Sequence, residues 1–378
     1  MTRQPQITPS EIEVQQATRT VLPNGVALYT LPADEFEVLR ISFVFRAGSS
    51  VQQVPFSASA AANLLAEGSE AMTAAEIAEQ LDYHGSWYDV NIDRDYAYIN
   101  FATLSKFFAE TLAVAEELLL RPTFPEEELR TYAAKRKQRL AIDRTKVDIE
   151  AREAFARAMF GPQHPYGISS DERLYDSLTR ADVEAFYRRY YHPSNAILSI
   201  SADIPEERTI ALCEKWFDPI ADNPQPAASL PQEPPQTESR REEVERNVPA
   251  TMIVLAYHIG SRTSPDFFLG DMTSDLLAGG ESGRLYQHLV REQRLLGSVN
   301  AYVSGEVDPG LFVFTAQLLP STTVEQAEAA LLREIEILQT EKIDEYELEK
   351  IKNKFEANTL FGELNVMNKA MNLGYYEM

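Results

Sequence analysis

The chain has 378 residues, enough for one or two domains that each bury a core. Hydrophobic residues make up 44% and charged residues 25% of the sequence, an ordinary globular balance. The formal net charge of -23 at pH 7 argues against nucleic acid and anionic membrane as partners, because both require a cationic surface. The single cysteine, Cys213, excludes an internal disulfide and is typical of a reducing compartment.

Strand and helix patterns alternate along the first part of the chain. Two β-type segments flank Pro23-Asn24-Gly25 and predict a hairpin over residues 18–31. The next predicted elements are a strand at 39–46, an alanine-rich helix at 56–66 that begins near Ser57, a helix at 73–84, two strands within 90–103, and helices at 106–120 and 125–139. This alternation indicates an α+β protein.

Residues 219–249 contain seven prolines among polar residues and are predicted to be a linker. Beyond them the first half recurs, since the segment 64–68 matches the segment 276–280. The prediction is therefore two copies of one domain, at 1–218 and 250–378. The second copy lacks a counterpart of the stretch near 163–203. The expectation is that the natural protein continues past Met378 by about the length of that stretch, or that the missing part was cut away.

Five short motifs in a fixed order carry a family resemblance. They are Leu-Pro-Asn-Gly at 22–25, Leu-Ala-Glu-Gly-Ser at 65–69, His-Pro-Tyr-Gly at 164–167, Tyr-Tyr-His-Pro-Ser-Asn at 190–195, and Gly-Gly-Glu-Ser-Gly-Arg-Leu-Tyr at 279–286. Together they resemble the pitrilysin/insulinase family of zinc peptidases, which includes the mitochondrial processing peptidase. The resemblance implies two homologous α/β domains, each with a mixed, largely antiparallel sheet and helices packed on one face.

Active members of that family carry His-x-x-Glu-His on a helix, with two histidines as zinc ligands and the glutamate as the base. Counting back from Gly68 places this motif on Ser59, Ala62 and Asn63. The family's third ligand is a glutamate well beyond the motif, and the family spacing places it on Leu140. The motif and its inverse occur nowhere else in the chain. Because these side chains offer no imidazole, carboxylate or base, no metal or other cofactor is predicted.

The second half of the family often supplies an arginine and, seven residues later, a tyrosine that steady the scissile carbonyl. The matching positions are Val290 and Gly297, so this pair is also predicted to be missing. An edge strand binds peptide through backbone groups alone, so it can keep this capacity when the catalytic residues are lost. By resemblance, that edge is the segment Tyr88, Asp89, Val90, Asn91 and Ile92. The alternative is an ordinary strand whose edge a partner covers.

The resulting hypothesis is a non-catalytic homologue that binds peptide or serves an active metallopeptidase as a partner. The partner would be a homologous subunit that carries His-x-x-Glu-His, or a second copy of this chain. Two alternatives stay open: an active zinc-dependent endopeptidase with a non-standard site, such as one using His84, and a scaffold component of a larger complex. The expected compartment is the cytoplasm, or the periplasm if a leader was removed.

Overall fold

A computed structural model describes residues 16–32, 37–161, 164–168, 171–217, 222, 236–305, 309–363 and 366–378, with the backbone alone at 363 and 366–368. Within these residues lie two β-sheets, each associated with helices. No helix in these ranges combines the length and the apolar character needed to cross a membrane.

The larger sheet has six strands in the order β1-β2-β6-β3-β5-β4. They are β1 Thr18–Val21, β2 Ala27–Pro32, β3 Val38–Phe45, β4 Trp87–Ile92, β5 Ala97–Leu104 and β6 Ala196–Ala202. Neighbouring strands are antiparallel except for the parallel pair β2 and β6. The predicted hairpin at 18–31 is confirmed, and Gly25 supplies the positive φ of 94° that its turn requires.

In the part that the structure describes, the first half contributes eight α-helices, several of which cover one face of this sheet. They are α1 Ser57–Asn63, α2 Ala74–Tyr83, α3 Phe108–Leu120, α4 Glu126–Asp143, α5 Val147–Phe160, α6 Glu172–Asp176, α7 Arg180–Tyr190 and α8 Glu206–Phe217. The core face takes alternate residues of β3, namely Leu39, Ile41 and Phe43, and packs them against these helices. The predicted start of α2 is confirmed by a capping box between Thr73 and Glu76.

The smaller sheet, in the second half, has the order β7-β9-β8 and is antiparallel throughout. Its elements are β7 Met252–His258, α9 Pro265–Ala278, a π-helical segment Tyr286–Glu292, β8 Leu296–Ser304, β9 Leu311–Leu318, α10 Val324–Thr340, α11 Glu345–Glu363 and α12 Val366–Glu377. This strand order repeats that of β3, β5 and β4 in the larger sheet. The predicted class, α/β units with mixed, largely antiparallel sheets, is confirmed.

Each sheet also receives a helix from the other half of the chain. Helix α12 lies on the face of the larger sheet opposite its main core, where Ser199 donates to the carbonyl of Ala370. At Gly374 the helix comes so close that a Cβ would overlap Val44 of β3. Helix α5 packs Met159 against the smaller sheet in return. The family resemblance implied helices on one face, and these two helices add a partial second layer.

The predicted linker at 219–249 lies mostly outside the described residues. The described part of it, residue 222 and residues 236–249, contains no helix or strand. Chain segments of this kind connect domains without contributing to their cores. The domain boundaries at 218 and 250 stay a prediction.

Candidate functional site

The two helices that would hold a family metal face each other across a hydrogen bond. The Tyr132 hydroxyl on α4 donates to Ser59 Oγ on α1 at 3.0 Å. Ser59 Oγ in turn donates to the carbonyl oxygen of Phe56 at 3.1 Å. On the next turn, Asn63 Nδ2 donates to the carbonyl oxygen of Ser59 at 2.7 Å. These polar groups therefore bond to one another and to the backbone of α1.

The side chains at the three motif positions do not fit zinc. Zinc in proteins is held by imidazole nitrogen, thiolate or carboxylate, whereas Ser59 offers a hydroxyl that is already bonded and Asn63 an exposed amide. Ala62 is 0% exposed and has only a methyl group. Its small size lets α1 pack closely against α7 and β4. No group of three His, Cys, Asp or Glu side chains suited to a metal occurs among the residues that the structure describes.

Leu140, the predicted counterpart of the third ligand, lies further along α4 than the contact with α1. It follows Tyr132 by eight residues, which corresponds to about 12 Å along the helix axis. The α4 side chain that bonds to Ser59 is Tyr132, and sequence spacing did not single it out. A hydroxyl at this place was not expected from the family pattern.

Next to this contact lies a group of side chains that the sequence reasoning missed. The ring of Tyr175 on α6 stacks on that of Phe56, with ring centroids 3.9 Å apart. Phe56 has a φ of 67°, a strained value for a bulky residue. Arg136 on α4 lies over the Tyr132 ring at 5.7 Å and also interacts with the Tyr175 hydroxyl. The spacing of Tyr132 and Arg136, four residues on one helical face, was the signal that could have found them.

The electrostatics change sign along α4. Burial by itself would lower the pKa of Arg136, but the hydroxyls of Tyr132 and Tyr175 raise it above its usual value. At the other end of the contact, burial and the nearby Glu128 raise the pKa of Glu67, against the opposing effect of Lys135. The site thus contains a cationic group, Arg136, and an acidic group, Glu67, which interacts with both Glu128 and Lys135 of α4.

The predicted peptide-binding segment, Tyr88 to Ile92, lies in β4 at the edge of the larger sheet. Among the described residues, β4 pairs with β5 alone, so its other side is not bonded to a strand. Trp87, the first residue of β4, is 49% exposed, and the Arg40 guanidinium lies 5.7 Å from the centroid of its ring. The Tyr88 hydroxyl points toward the helices, and burial raises its pKa, with Asp89 and Glu67 adding to the shift.

The remaining predicted positions lie in the second half or away from α1. Val290 is in the π-helical segment and packs against the hydrophobic core of the second half. Gly297 lies at the irregularity near the start of β8, where a Cβ would meet Leu319 Cδ2 at 3.7 Å and would be accommodated. His84 is buried, and its ring contacts those of Tyr83 and Phe107. The hydrogen bonds of Ser59 within the described residues reach Phe56, Asn63 and Tyr132, and none of these positions.

The fold is that of a metallopeptidase-like protein, and the positions predicted for the zinc motif hold Ser59, Ala62 and Asn63. Residues 177–355 match the family described as the peptidase M16 inactive domain. This match confirms the resemblance to the pitrilysin/insulinase peptidases.

Relatives and solved structures agree with this assignment. An uncharacterized zinc protease of Rickettsia bellii is 21% identical over 358 residues, covering 93% of this chain and 85% of that protein. The zinc protease PqqE of Helicobacter pylori is 27% identical over 199 residues, covering 51% of this chain and 44% of that protein. A protease structure from Helicobacter pylori superposes with a TM-score of 0.87 at 19% identity, over 96% of this chain and 89% of that one. A peptidase M16 inactive domain from Pseudomonas fluorescens gives a TM-score of 0.82 at 20% identity, over 95% and 87%.

Proposed function

We propose that this chain is a non-catalytic, peptide-binding partner subunit of a zinc metallopeptidase. The observation that carries the proposal is the bond between Tyr132 and Ser59, in the place where the family would have metal ligands. A hydroxyl pair, a buried methyl group at Ala62 and an exposed amide at Asn63 provide neither a zinc site nor a general base. Hydrolysis would then depend on a partner that carries the intact motif.

Peptide binding is supported by the unpaired side of β4. An extended peptide can add to such an edge through main-chain hydrogen bonds, and the side chains of the strand need not be of any particular type. The segment from Tyr88 to Ile92 would supply those bonds. Exposed Trp87 at the start of the strand offers an apolar contact beside them.

Strand addition can be tested with backbone methylation. A fluorescently labelled peptide of alternating valine and threonine is compared with two versions N-methylated at alternate residues, one on odd and one on even positions. Only one set of alternate amides faces the host strand, so one version is expected to lose binding and the other to keep it. Equal binding of both versions would count against a β-strand complex.

The catalytic assignment is tested with metal analysis and mixing. The purified chain is expected to retain far less than one zinc per molecule after dialysis and to leave a fluorogenic peptide uncut. Adding a homologous subunit with His-x-x-Glu-His is expected to give more hydrolysis than that subunit alone. A second copy of this chain is the other candidate partner, and sedimentation of the pure protein distinguishes the two arrangements.

The competing enzyme hypothesis draws on the names of the relatives, which are zinc proteases. It requires a non-standard metal site, and stoichiometric zinc with activity of the pure chain would favour it. The scaffold hypothesis draws on the similarity to a chain in a structure of complex III2 from Candida albicans, with a TM-score of 0.72 at 16% identity. Recovery in a large assembly without any effect on hydrolysis would favour that hypothesis. We infer the cytoplasm as the compartment from the single Cys213, with the periplasm as the alternative.

A further inference from the structure

Arg136 differs from three other basic residues of α4 in its electrostatic partners. Arg130, Lys137 and Arg139 each have a carboxylate oxygen within 3.0 Å, from Glu127, Asp176 and Asp143. Arg136 forms no ion pair with any residue that the structure describes, although its side chain is partly accessible to solvent on the same helix.

The side chains around Arg136 hold its guanidinium in place. Its guanidinium lies beside the Tyr132 ring, and the Tyr175 hydroxyl interacts with it from α6. Tyr175 is in turn held by its stacking on Phe56, and Tyr132 by its bond to Ser59. These contacts reduce the freedom of the arginine side chain and leave donors available for a planar anion.

The geometry points to a carboxylate-binding site at Arg136, which recognises an acidic side chain or the free C-terminus of a bound peptide. This inference rests on the proposed peptide-binding function and names the ligand chemistry. A carboxylate is the group that matches the planar guanidinium with two parallel hydrogen bonds. The Tyr132 ring forms one wall of the site.

The acidic residue Glu128 of α4 does not cancel this attraction. Glu128 precedes Arg136 by eight residues, or about 12 Å along α4. That separation exceeds the screening length of about 8 Å at physiological ionic strength. Glu128 therefore affects a peptide carboxylate at Arg136 less than the guanidinium does.

The test uses three labelled peptides that share one alternating valine and threonine sequence. The first ends in glutamate with an amidated C-terminus, the second in glutamine with an amidated C-terminus, and the third in glutamine with a free C-terminus. Fluorescence anisotropy is expected to show about tenfold or tighter binding of the first or the third peptide than of the second, because charge-assisted hydrogen bonds are worth at least that factor. The peptide that gains affinity identifies which carboxylate the site recognises.

Two variants assign the preference to one side chain. Arg136→Gln is expected to bind all three peptides equally, at the affinity of the amidated glutamine peptide. Arg130→Gln is the matched control, because Arg130 is also exposed on α4 but pairs with Glu127; it should keep the preference. Equal binding of the three peptides to the unaltered chain, or a preference that survives Arg136→Gln, overturns the carboxylate site alone. Failure of every peptide to bind overturns the proposed peptide-binding function as well.

Discussion

The hydrogen bond between Tyr132 and Ser59 joins α4 to α1 at a position predicted for the zinc motif, and a double-mutant cycle measures that link. The two residues are 73 positions apart, and both side chains are partly buried. A neutral hydrogen bond contributes about 0.5–1.5 kcal/mol net to stability. Tyr132→Phe and Ser59→Ala are each expected to cost about that much, and the coupling energy should be about 0.5–1.5 kcal/mol, because either change alone breaks the same bond.

Urea unfolding followed by circular dichroism provides the measurement. The midpoints are compared at constant slope, because a changed slope would mean that a different amount of surface unfolds. Ser69→Ala combined with Tyr132→Phe is the control pair, since the Ser69 hydroxyl contacts the Met72 backbone and should couple to Tyr132 by less than about 0.3 kcal/mol. A coupling equally small for Tyr132 and Ser59 would refute the idea that this bond connects the two helices.

Three further expectations concern the motif helix, Glu67 and α12. The triple variant Ser59→His, Ala62→Glu and Asn63→His restores the motif and is expected to have a lower thermal midpoint, because a glutamate at fully buried Ala62 overpacks the site by about 1–3 kcal/mol. After dialysis this variant should hold less than one zinc per molecule by elemental analysis. Glu67→Gln should raise the midpoint at pH 7 and leave it unchanged below about pH 4; burial and Glu128 raise the pKa of Glu67, so its cost appears only as pH rises through that pKa. Gly374→Val should speed amide exchange throughout α12, since its side chain would overlap Val44, whereas Gly362→Val, in open space on α11, should not.

Local patterns predicted the elements well because the forces that set them act over a few residues. Asn24 and Gly25 define a turn, and Thr73 with Glu76 defines the start of α2, whatever the rest of the chain does. The start of α1 depends on a contact with a residue far away in the sequence. Ser57 is the better capping residue by type, but the helix begins after Phe56, whose ring is held by stacking on Tyr175 from a distant helix. Tertiary packing there overrides the capping preference.

The contacts between the halves were beyond sequence reasoning because they join surfaces far apart in the chain. Nothing in the periodicity of α12 indicates that Gly374, near one end of the chain, approaches Val44, near the other. The same holds for α5 and the smaller sheet. A duplicated sequence predicts two similar units but does not indicate which helix of each unit packs against the sheet of the other.

The candidate site separates what spacing can predict from what it cannot. Counting from Gly68 identified Ser59, Ala62 and Asn63 because those positions lie on one short helix, where the spacing in the sequence determines which side chains share a face. Counting on to Leu140 measures chain length, whereas the contact between α1 and α4 depends on how the helices cross, and the crossing brings Tyr132 to Ser59. Arg136 then follows from Tyr132 by one helical turn. The predicted absence of zinc ligands followed from the sequence, but the position of Arg136 beside Tyr132 could be found only from how the two helices cross.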